Sequence, residues 1–343
     1  MASMRDVADK AGVSVSTVSV VLNNKKKVSE ELRQRIFQAM DDLDYKLPTN
    51  VRARRSSKTI AIIIPFVSSL FFTHLLAGVT DVARSRGFDI IIKISGYDFK
   101  EEKTMVESIL RENIVGLIID SVCPIDLAEE YFGQMERIFK RTGVPVVYVE
   151  RNLSQYNFKS IYVDNVKSAY TITRHLLEAG HRQIAHITGN LSSPQTIERI
   201  EGYRQALSEF GIEPNDDLIV VGDYSPITGY IRTKELISNN LKMTAIFGAN
   251  DQTAIGAMKA IKAAGYSIPD DIAVVGFDNL SITTMIEPSL TTMSVPAYQM
   301  GREAVLAIAQ RDFQRDSIEL PCKLLVRRSS SNTSATEWDI TGW

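Results

Sequence analysis

Hydrophobic residues recur every three to four positions in three short runs near the N-terminus. The first run covers residues 4–11 and the second covers residues 15–23, with Gly12 between them. The third run follows Ser29, and its apolar positions are Leu32, Ile36, Met40 and Leu43. This spacing is typical of amphipathic α-helices. The pattern therefore predicts a small domain of three helices.

From residue 60 the pattern changes to short β-branched runs that alternate with amphipathic stretches. Strands are predicted in a first series at 60–64, 89–94, 115–119 and 144–149, and in a second at 161–163, 183–188, 218–221, 245–247 and 272–277. Helices are predicted at 75–86, 101–112, 166–179, 198–210 and 254–264. Continuous apolar strands joined by helical crossovers indicate parallel sheets covered on both faces. Two series of strands predict an α/β body of two doubly wound subdomains.

The composition of the 343 residues agrees with a globular protein, since 44% are hydrophobic and 23% are charged. No apolar run approaches the roughly 18–20 residues needed to cross a bilayer. The N-terminus also lacks the apolar core of a secretory signal. We therefore expect a cytoplasmic protein with no membrane partner. Cys123 and Cys322 are too few and too distant for a disulfide framework or a metal site, so no metal and no other cofactor is expected.

Charge is distributed unevenly along the chain. Residues 1–59 carry 12 Lys and Arg against 7 Asp and Glu, whereas the remainder carries 27 against 34. Such asymmetry is typical of a nucleic-acid-binding segment joined to an acidic body. A solvated basic surface gives the same count, so the charge alone does not decide between them.

The first two predicted helices have the spacing of a helix-turn-helix. Ala8 leaves room for a close helix contact, Gly12 allows the turn, and Val18 enters the core. The second helix exposes small hydroxylated side chains where a surface helix usually carries Lys or Glu: Ser14, Ser16, Thr17 and Ser19. Such side chains allow a helix to lie deep in the major groove of DNA. A three-helix bundle without a ligand is the alternative.

Residues 6–23 read Asp-Val-Ala-x-x-Ala-Gly-Val-Ser-x-x-Thr-Val-Ser-x-Val-Leu-Asn, which closely resembles the headpiece of the lactose/galactose repressor (LacI/GalR) family. The resemblance implies that the second helix reads the major groove and that Val15 and Ser16 set most of the base preference. The family usually has Arg where this chain has Val20. Because valine cannot make a bidentate contact with guanine, we expect a different base pair there.

Basic residues continue beyond the second helix into a linker. Family members usually carry a leucine in this linker that inserts into the minor groove, whereas this chain has Ser56 there and no leucine between residues 48 and 69. We expect the basic side chains of the linker to bind the DNA backbone or a narrow groove through their charge instead. A basic linker that only DNA orders is an equal alternative. The further DNA contacts expected at the helix end and in the linker are Asn23, Lys25, Arg52, Arg54 and Arg55.

Carboxylates, amides and aromatic rings follow several predicted strands of the body. Ligands of parallel α/β folds bind beyond the carboxyl ends of the strands. The family resemblance continues through the body and ends with residues 326–329, which match its usual final strand. It implies a periplasmic-binding-protein-like body of two lobes joined by three crossovers, with an effector between them. The residues that would face the effector are Phe72, Glu150, Arg199, Tyr224, Asn250, Asp278 and Tyr298.

Each of these residues has a structural alternative. Asp and Asn at a strand-to-helix junction often cap the helix, and Asp164 and Asp251 fit that role at least as well as ligand binding. The aromatic rings would fit equally well as buried residues of the hydrophobic core. Glu150 stands where sugar-binding members of the family usually have Asp, which leaves the ligand open.

The resemblance also implies a domain organisation. We expect a headpiece over residues 1–45, a linker over 46–59, and an effector-binding and dimerisation domain over 60–343. The subdomains are predicted at about 60–160 with 293–321, and at about 161–292 with 322–343. A homodimer would form through residues 71–86 and 100–113 and bind the two half-sites of an operator. A phosphoprotein corepressor, which some relatives use, stays open.

The predicted function is a sequence-specific transcriptional regulator, more specifically a repressor, whose affinity for operator DNA changes with a small metabolite. A sugar or a sugar phosphate is the first candidate for that effector, and a nucleobase-like molecule is an alternative. A free sugar-binding receptor is the alternative, and the helix-turn-helix pattern argues against it. An enzyme is the second alternative, but no G-x-S-x-G elbow, P-loop or G-x-G-x-x-G turn occurs in the sequence.

Overall fold

The computed structural model describes residues 2–22, 29–43, 45, 58–67, 69–239, 242–310 and 317–331. The N-terminal helices are α1 (Met4–Ala11), α2 (Val15–Leu22) and α3 (Glu30–Asp42). Ser3 and Asp6 form a capping box at the start of α1, and Gly12 ends that helix with a φ of 64°. Buried side chains that include Val18 and Ile36 give the three helices a core of their own. The predicted helical headpiece is confirmed.

The first lobe of the body is built on a six-stranded sheet. Its strands are β1 (Thr59–Ile64), β2 (Asp89–Ile94), β3 (Gly116–Ile119), β4 (Val146–Val149), β5 (Lys159–Tyr162) and β11 (Ile318–Glu319). The spatial order is β11–β5–β4–β3–β1–β2, and every described pairing is parallel. Its helices are α4 (Leu70–Arg86), α5 (Phe99–Ile109), α6 (Ala128–Thr142) and α11 (Ala297–Gln310).

The second lobe repeats this architecture. Its strands are β6 (Ile184–Ile187), β7 (Ile219–Val220), β8 (Ala245–Gly248), β9 (Ala273–Asp278), β10 (Thr291–Ser294) and β12 (Lys323–Leu325). The spatial order is β12–β10–β9–β8–β6–β7, with β12 antiparallel to β10 and the other pairings parallel. Its helices are α7 (Asn165–Glu178), α8 (Pro194–Glu209), α9 (Pro226–Ser238) and α10 (Asp251–Ala263).

Within the described residues the chain passes between the lobes after β5, after β10 and between β11 and β12. Because Ile161 of β5 lies opposite Val149 of β4, the prediction that residues 161–163 begin the second series is wrong. A short apolar run has the same pattern whichever sheet it joins. The last described strand is β12, and residues 328–330 form a turn, so the final strand predicted at 326–329 is also wrong.

Glycines allow helices of the first lobe to pack at very short range. A Cβ atom on Gly78 of α4 would lie 1.9 Å from the carbonyl oxygen of Tyr298, and one on Gly301 of α11 would lie 2.1 Å from that of Leu75. Only residues without a Cβ permit this approach. The pair covers one face of the first sheet. Among the described helices, none is long and apolar enough to cross a membrane.

Candidate DNA-reading helix and effector cleft

The start of α2 carries a connected group of hydroxyls. The backbone N–H of Thr17 donates to Oγ of Ser14 at 3.1 Å, so Ser14 caps the helix as predicted. The same oxygen lies 2.7 Å from Oγ of Ser16 and 2.8 Å from Oγ1 of Thr17. The helix N-terminus also carries a partial positive charge. This end of α2 therefore offers donors to phosphates and to base edges.

The outward face of α2 contains the two residues predicted to set base preference. Val15 is 42% exposed and Ser16 is exposed, whereas Val18 is fully buried against the other headpiece helices. Ser19 and Val20 are half-buried at the edge of this face. The remaining predicted DNA contacts, namely Asn23, Lys25, Arg52, Arg54 and Arg55, lie outside the described residues.

A cleft of about 470 Å³ lies between the two lobes. Six of the seven predicted effector residues line it: Phe72, Glu150, Arg199, Tyr224, Asn250 and Asp278. They come from the ends of strands and the starts of helices in both lobes, the edge at which parallel sheets bind ligands. The structure thus brings together residues that are up to about 200 positions apart in the sequence.

Tyr298 is the exception, and the prediction that it lines the cleft is wrong. Its hydroxyl donates to Oδ2 of Asp81 at 2.7 Å, its side chain is 41% exposed, and it is not among the cleft-lining residues. The reason is that α11 packs on α4, so the first turn of α11 meets the carboxylate of Asp81 there.

Arg199 is held rigidly at the base of the cleft. Its Nε donates to Oδ1 of Asn165 at 3.0 Å, and its Nη1 donates to the carbonyl oxygen of Ala249 at 2.5 Å. The guanidinium carbon lies 3.7 Å from the centre of the Phe277 ring, within the range of a cation–π contact. The side chain is only 5% exposed. Arg199 is therefore positioned by the second lobe before any ligand arrives.

Four described cleft residues other than glycine have left-handed backbone conformations. The φ angles are 60° for Tyr97, 66° for Glu150, 67° for Tyr224 and 111° for Asp278. Such conformations are uncommon for residues with a side chain, and they concentrate at binding and active sites. A hydrogen bond of 2.6 Å between the hydroxyl of Tyr224 and Oγ1 of Thr196 fixes the tyrosine ring. These conformations make the cleft the candidate binding site of the body.

The cleft carboxyl groups are electrostatically unusual. Burial, together with the carboxyl of Asp278, raises the pKa of Glu150 to about 7, against the opposing effect of Arg199. Burial also raises the pKa of Asp278 well above its ordinary value, although Arg199 lowers it. Burial and the neighbouring Glu150 raise the pKa of Asp120 in the same direction. Oε1 of Glu150 is buried and lacks a hydrogen-bond partner among the described residues.

Comparisons with known proteins match both parts of this structure. Residues 3–47 match the bacterial regulatory proteins of the lacI family, and residues 173–330 match a periplasmic binding protein-like domain. The HTH-type transcriptional repressor CytR of Escherichia coli K12 is 31% identical over 337 residues, which cover 96% of each chain. The chain belongs to the LacI family. It is a DNA-binding transcriptional regulator and not an enzyme.

Solved structures of other LacI-type regulators share the fold. The complex of the transcriptional regulator CelR with cellobiose matches with a TM-score of 0.71 and 28% identity over 96% of this chain and 100% of that chain. The lac repressor dimer bound to operator and an anti-inducer matches with a TM-score of 0.70 and 28% identity over 96% and 99%. The predicted fold class, a helical headpiece on a two-lobed body, is confirmed.

Helix capping near the cleft agrees with the prediction for Asp164 but not for Asp251. Asp164 caps α7 as predicted, since the N–H of Lys167 donates to its Oδ1 at 2.8 Å. At α10 the cap is Asn250, whose Oδ1 accepts from the N–H of Thr253 at 2.8 Å. Asp251 is fully buried and instead accepts hydrogen bonds from the hydroxyl of Thr292 and the N–H of Leu280. Asn250 therefore both caps a helix and lines the cleft.

Sequence reasoning missed several cleft residues, of which Asp120 is the most important. It follows β3 directly, so the rule that ligands bind beyond strand ends would have found it. Other missed lining residues are Phe66, Tyr97, Ser121, Val122, Asn190, Ser193 and Asp223. Tyr97 follows β2 after a two-residue gap, and no local pattern distinguishes it from an ordinary loop residue.

A buried glutamate holds the Asp120 loop in place. Glu102 of α5 accepts from Oγ of Ser121 at 2.7 Å, from the N–H of Val122 at 2.6 Å and from the hydroxyl of Tyr131 at 3.2 Å. Burial raises the pKa of Glu102, although these three donors oppose that rise. The loop that lines the cleft is thereby tied to α5 and α6 of the first lobe.

Proposed function

We propose that this LacI-family protein is a repressor that binds a two-fold operator as a homodimer and senses a hydroxylated metabolite in its cleft. The observation that carries the proposal is the exposed hydroxyl face of α2, at the position where the family reads DNA. In this proposal Val15 and Ser16 contact base edges. The remaining contacts from this helix come from Ser14, Thr17, Ser19 and Val20.

The proposed homodimer is supported by apolar side chains that the described chain leaves exposed. On the edge strand β2, Ile91, Ile92 and Ile94 are 37%, 45% and 44% exposed, and this strand lies between the two helices predicted to form the dimer surface. In the second lobe, Ile227 of α9 is 69% exposed. Apolar patches of this kind mark protein–protein interfaces. Sedimentation analysis should therefore give a dimer.

We propose that the linker, residues 46–59, transmits the state of the cleft to the headpiece, residues 1–45. A ligand that prefers one arrangement of the lobes must change operator affinity, and DNA must change ligand affinity by the same factor. Couplings of this kind are typically about 1–3 kcal/mol. Such a regulator acts in the cytoplasm, where its DNA partner is found.

The test measures binding of the full chain to a pool of randomised duplexes, followed by anisotropy titrations of the enriched sequences at several salt concentrations. We expect two-fold symmetric sites, and an affinity that falls steeply with salt because phosphate contacts release counterions. Ser16→Ala should weaken binding, whereas Ser208→Ala, at an exposed serine of α8, should not. If no duplex sequence is enriched from the pool at low salt, the proposal is contradicted. Ligand binding without DNA binding would favour a free receptor.

A further inference from the structure

The ionisable groups of the cleft are predominantly acidic. Among the described residues that line it, the carboxyl groups belong to Asp120, Glu150, Asp223 and Asp278, and the single cation is Arg199. Full ionisation would leave a formal excess of three negative charges. An effector that carries phosphate or carboxylate would add further negative charge to the same buried space, and like charges at short range repel strongly there.

The single cation is already committed to the protein. Two donor groups of Arg199 bond to Asn165 and to the carbonyl oxygen of Ala249, and its planar face covers Phe277. A guanidinium that receives an anion normally presents two parallel N–H groups to it. Arg199 uses two of its five N–H donors on protein oxygens, so the side-on fork that includes Nε is not available to a phosphate.

One acceptor in the cleft lacks a donor. Oε1 of Glu150 is buried without a hydrogen-bond partner among the described residues, and the left-handed backbone at Glu150 holds its side chain at this position. Buried polar atoms are almost always paired in folded proteins. An unpaired carboxylate oxygen on the wall of a cavity therefore indicates a ligand that brings a donor to it.

Charged residues behind the cleft lining do not cancel the excess of negative charge. Arg151 is buried, and its Nη1 donates to the carbonyl oxygen of Cys123 at 2.7 Å, while its guanidinium lies 4.9 Å from the centre of the Phe132 ring. Glu102 and Glu198 add two further carboxyl groups near the cleft, since each is an electrostatic neighbour of Asp120 or Glu150. The acidic character of the region thus extends beyond its surface.

Aromatic rings complete the chemistry of the cleft. Phe66, Phe72, Tyr97 and Tyr224 line it, and the rings of Phe66 and Tyr97 pack with centroids 4.3 Å apart. Ring faces bind the C–H face of a sugar and also attract cations. The volume of about 470 Å³ lies within the range of roughly 300–1,000 Å³ for small-molecule sites.

We propose that the effector is a hydroxylated ligand with a protonated amine, of the amino-sugar class, and that Asp120 and Glu150 select it by charge. This inference rests on the proposed effector site, and it narrows that site to one charge class. The ammonium group supplies the donor that Oε1 of Glu150 lacks. Hydroxyls of the same ligand bond to Asn250 and Asp278, while the aromatic rings cover its apolar face.

The test is isothermal titration of the full chain at pH 7 with matched sugars that differ only in charge. The panel contains glucosamine, galactosamine and mannosamine, their hydroxyl and N-acetyl counterparts, and the 6-phosphates of the parent sugars. We expect at least one amino sugar to bind at least tenfold more tightly than both of its uncharged counterparts, and the phosphates not to bind. Equal or tighter binding of an uncharged sugar or a phosphate, or a panel without a binding amino sugar, would overturn the proposal.

Two variants separate charge selection from shape. Asp120→Asn keeps the size of the side chain and removes the negative charge that the carboxyl group takes on beside an ammonium group, so it should reduce the preference for the amine at least fivefold. Asp89→Asn removes the same charge from an exposed position of β2 outside the cleft, and should leave the preference unchanged. An unaltered preference in Asp120→Asn would count against charge selection. Because these titrations contain no DNA, amino-sugar selection can fail while operator binding succeeds, and operator binding can fail while amino-sugar selection succeeds.

Discussion

The reading helix and the effector cleft are built in opposite ways. The outward face of α2 is exposed and consists of neighbouring positions, and the described residues 15–22 carry no charge. Ser14 caps the helix and also bonds to the hydroxyl of Ser16. The cleft is buried and charged, and distant strand ends assemble it, with Arg199 and Glu150 contributed by different lobes. Exposed side chains on α2 can therefore change without disturbing the fold, whereas those of the cleft also carry part of its stability.

The largest effect is expected at Arg199, the single cation among the described residues that line the cleft. Arg199→Ala removes two hydrogen bonds and leaves buried carboxyl groups without a compensating charge. Removing one partner from a buried charge network typically costs about 3–5 kcal/mol. We expect a loss of that size in the free energy of unfolding at pH 8, measured with urea. Arg204→Ala, which breaks an exposed pair with Asp216, is the control, and an equal loss in both variants would contradict this view.

Acid should remove the stabilising contribution of a histidine in the second sheet. Burial lowers the pKa of His186 to about 4, while its Nδ1 lies 3.0 Å from the carbonyl oxygen of Phe247. Because the folded state holds this imidazole neutral, its contribution is complete above the ordinary pKa of about 6.5 and is lost as pH falls towards 4. The loss should total about 3 kcal/mol. The raised pKa values of Glu150, Asp120 and Asp278 act in the opposite direction over this range, so the test is the difference in unfolding free energy between the unaltered chain and His186→Gln from pH 4 to 8.

The control for this pH dependence lies outside the second sheet. His186→Gln should remove this loss, whereas His74→Gln should retain it. The headpiece contains no histidine, so its helices should not share the transition. A slope that persists in His186→Gln would assign the acid sensitivity to other groups.

Val20 tests how the reading helix differs from that of other family members. Val20→Arg introduces a side chain that can form two hydrogen bonds with guanine, and a good bidentate contact contributes about 1–3 kcal/mol of discrimination. We expect selection from a randomised duplex pool to change at one base pair in each half-site, towards guanine. An unchanged selected sequence would show that residue 20 does not approach a base.

The smallest effect concerns the helix cap. Ser14→Ala removes the oxygen that accepts the N–H of Thr17 and should lower headpiece stability by about 1 kcal/mol. Ser16→Ala, two residues further on, should leave stability unchanged because its backbone bonds do not depend on its hydroxyl. Thermal unfolding followed by circular dichroism distinguishes them, and equal midpoints would remove the capping role assigned to Ser14.

The headpiece could be predicted closely because its signals are local. The capping serines, Gly12 and the helical spacing predicted α1 and α2 to within one residue. The body could be predicted in class but not in detail. β5 was assigned to the wrong sheet, because its pairing with β4 depends on contacts that no local pattern records. The helices α6, α9 and α11 were not among the predicted ones, although acidic residues begin α6 and basic residues end it, and Ser225 and Pro226 mark the start of α9.

Much of the cleft could be predicted because parallel sheets place their ligands at strand ends. That rule, with the family resemblance, placed Glu150 and Asp278 correctly in the cleft. It did not place Tyr298, since the packing of α11 on α4 decides where that side chain lies. Nor could the sequence show that Glu150 has a left-handed backbone and an unpaired oxygen, because both depend on how the lobes close around the site.

The most direct test of the account is whether the two regions respond to each other. Operator affinity should be measured by anisotropy with and without a saturating concentration of the tightest-binding sugar of the panel, and sugar affinity with and without operator. The account predicts that both affinities change by the same factor, about 5–150-fold. Two affinities that each remain unchanged when the other ligand is bound would show that α2 and the cleft are independent sites, and would contradict it.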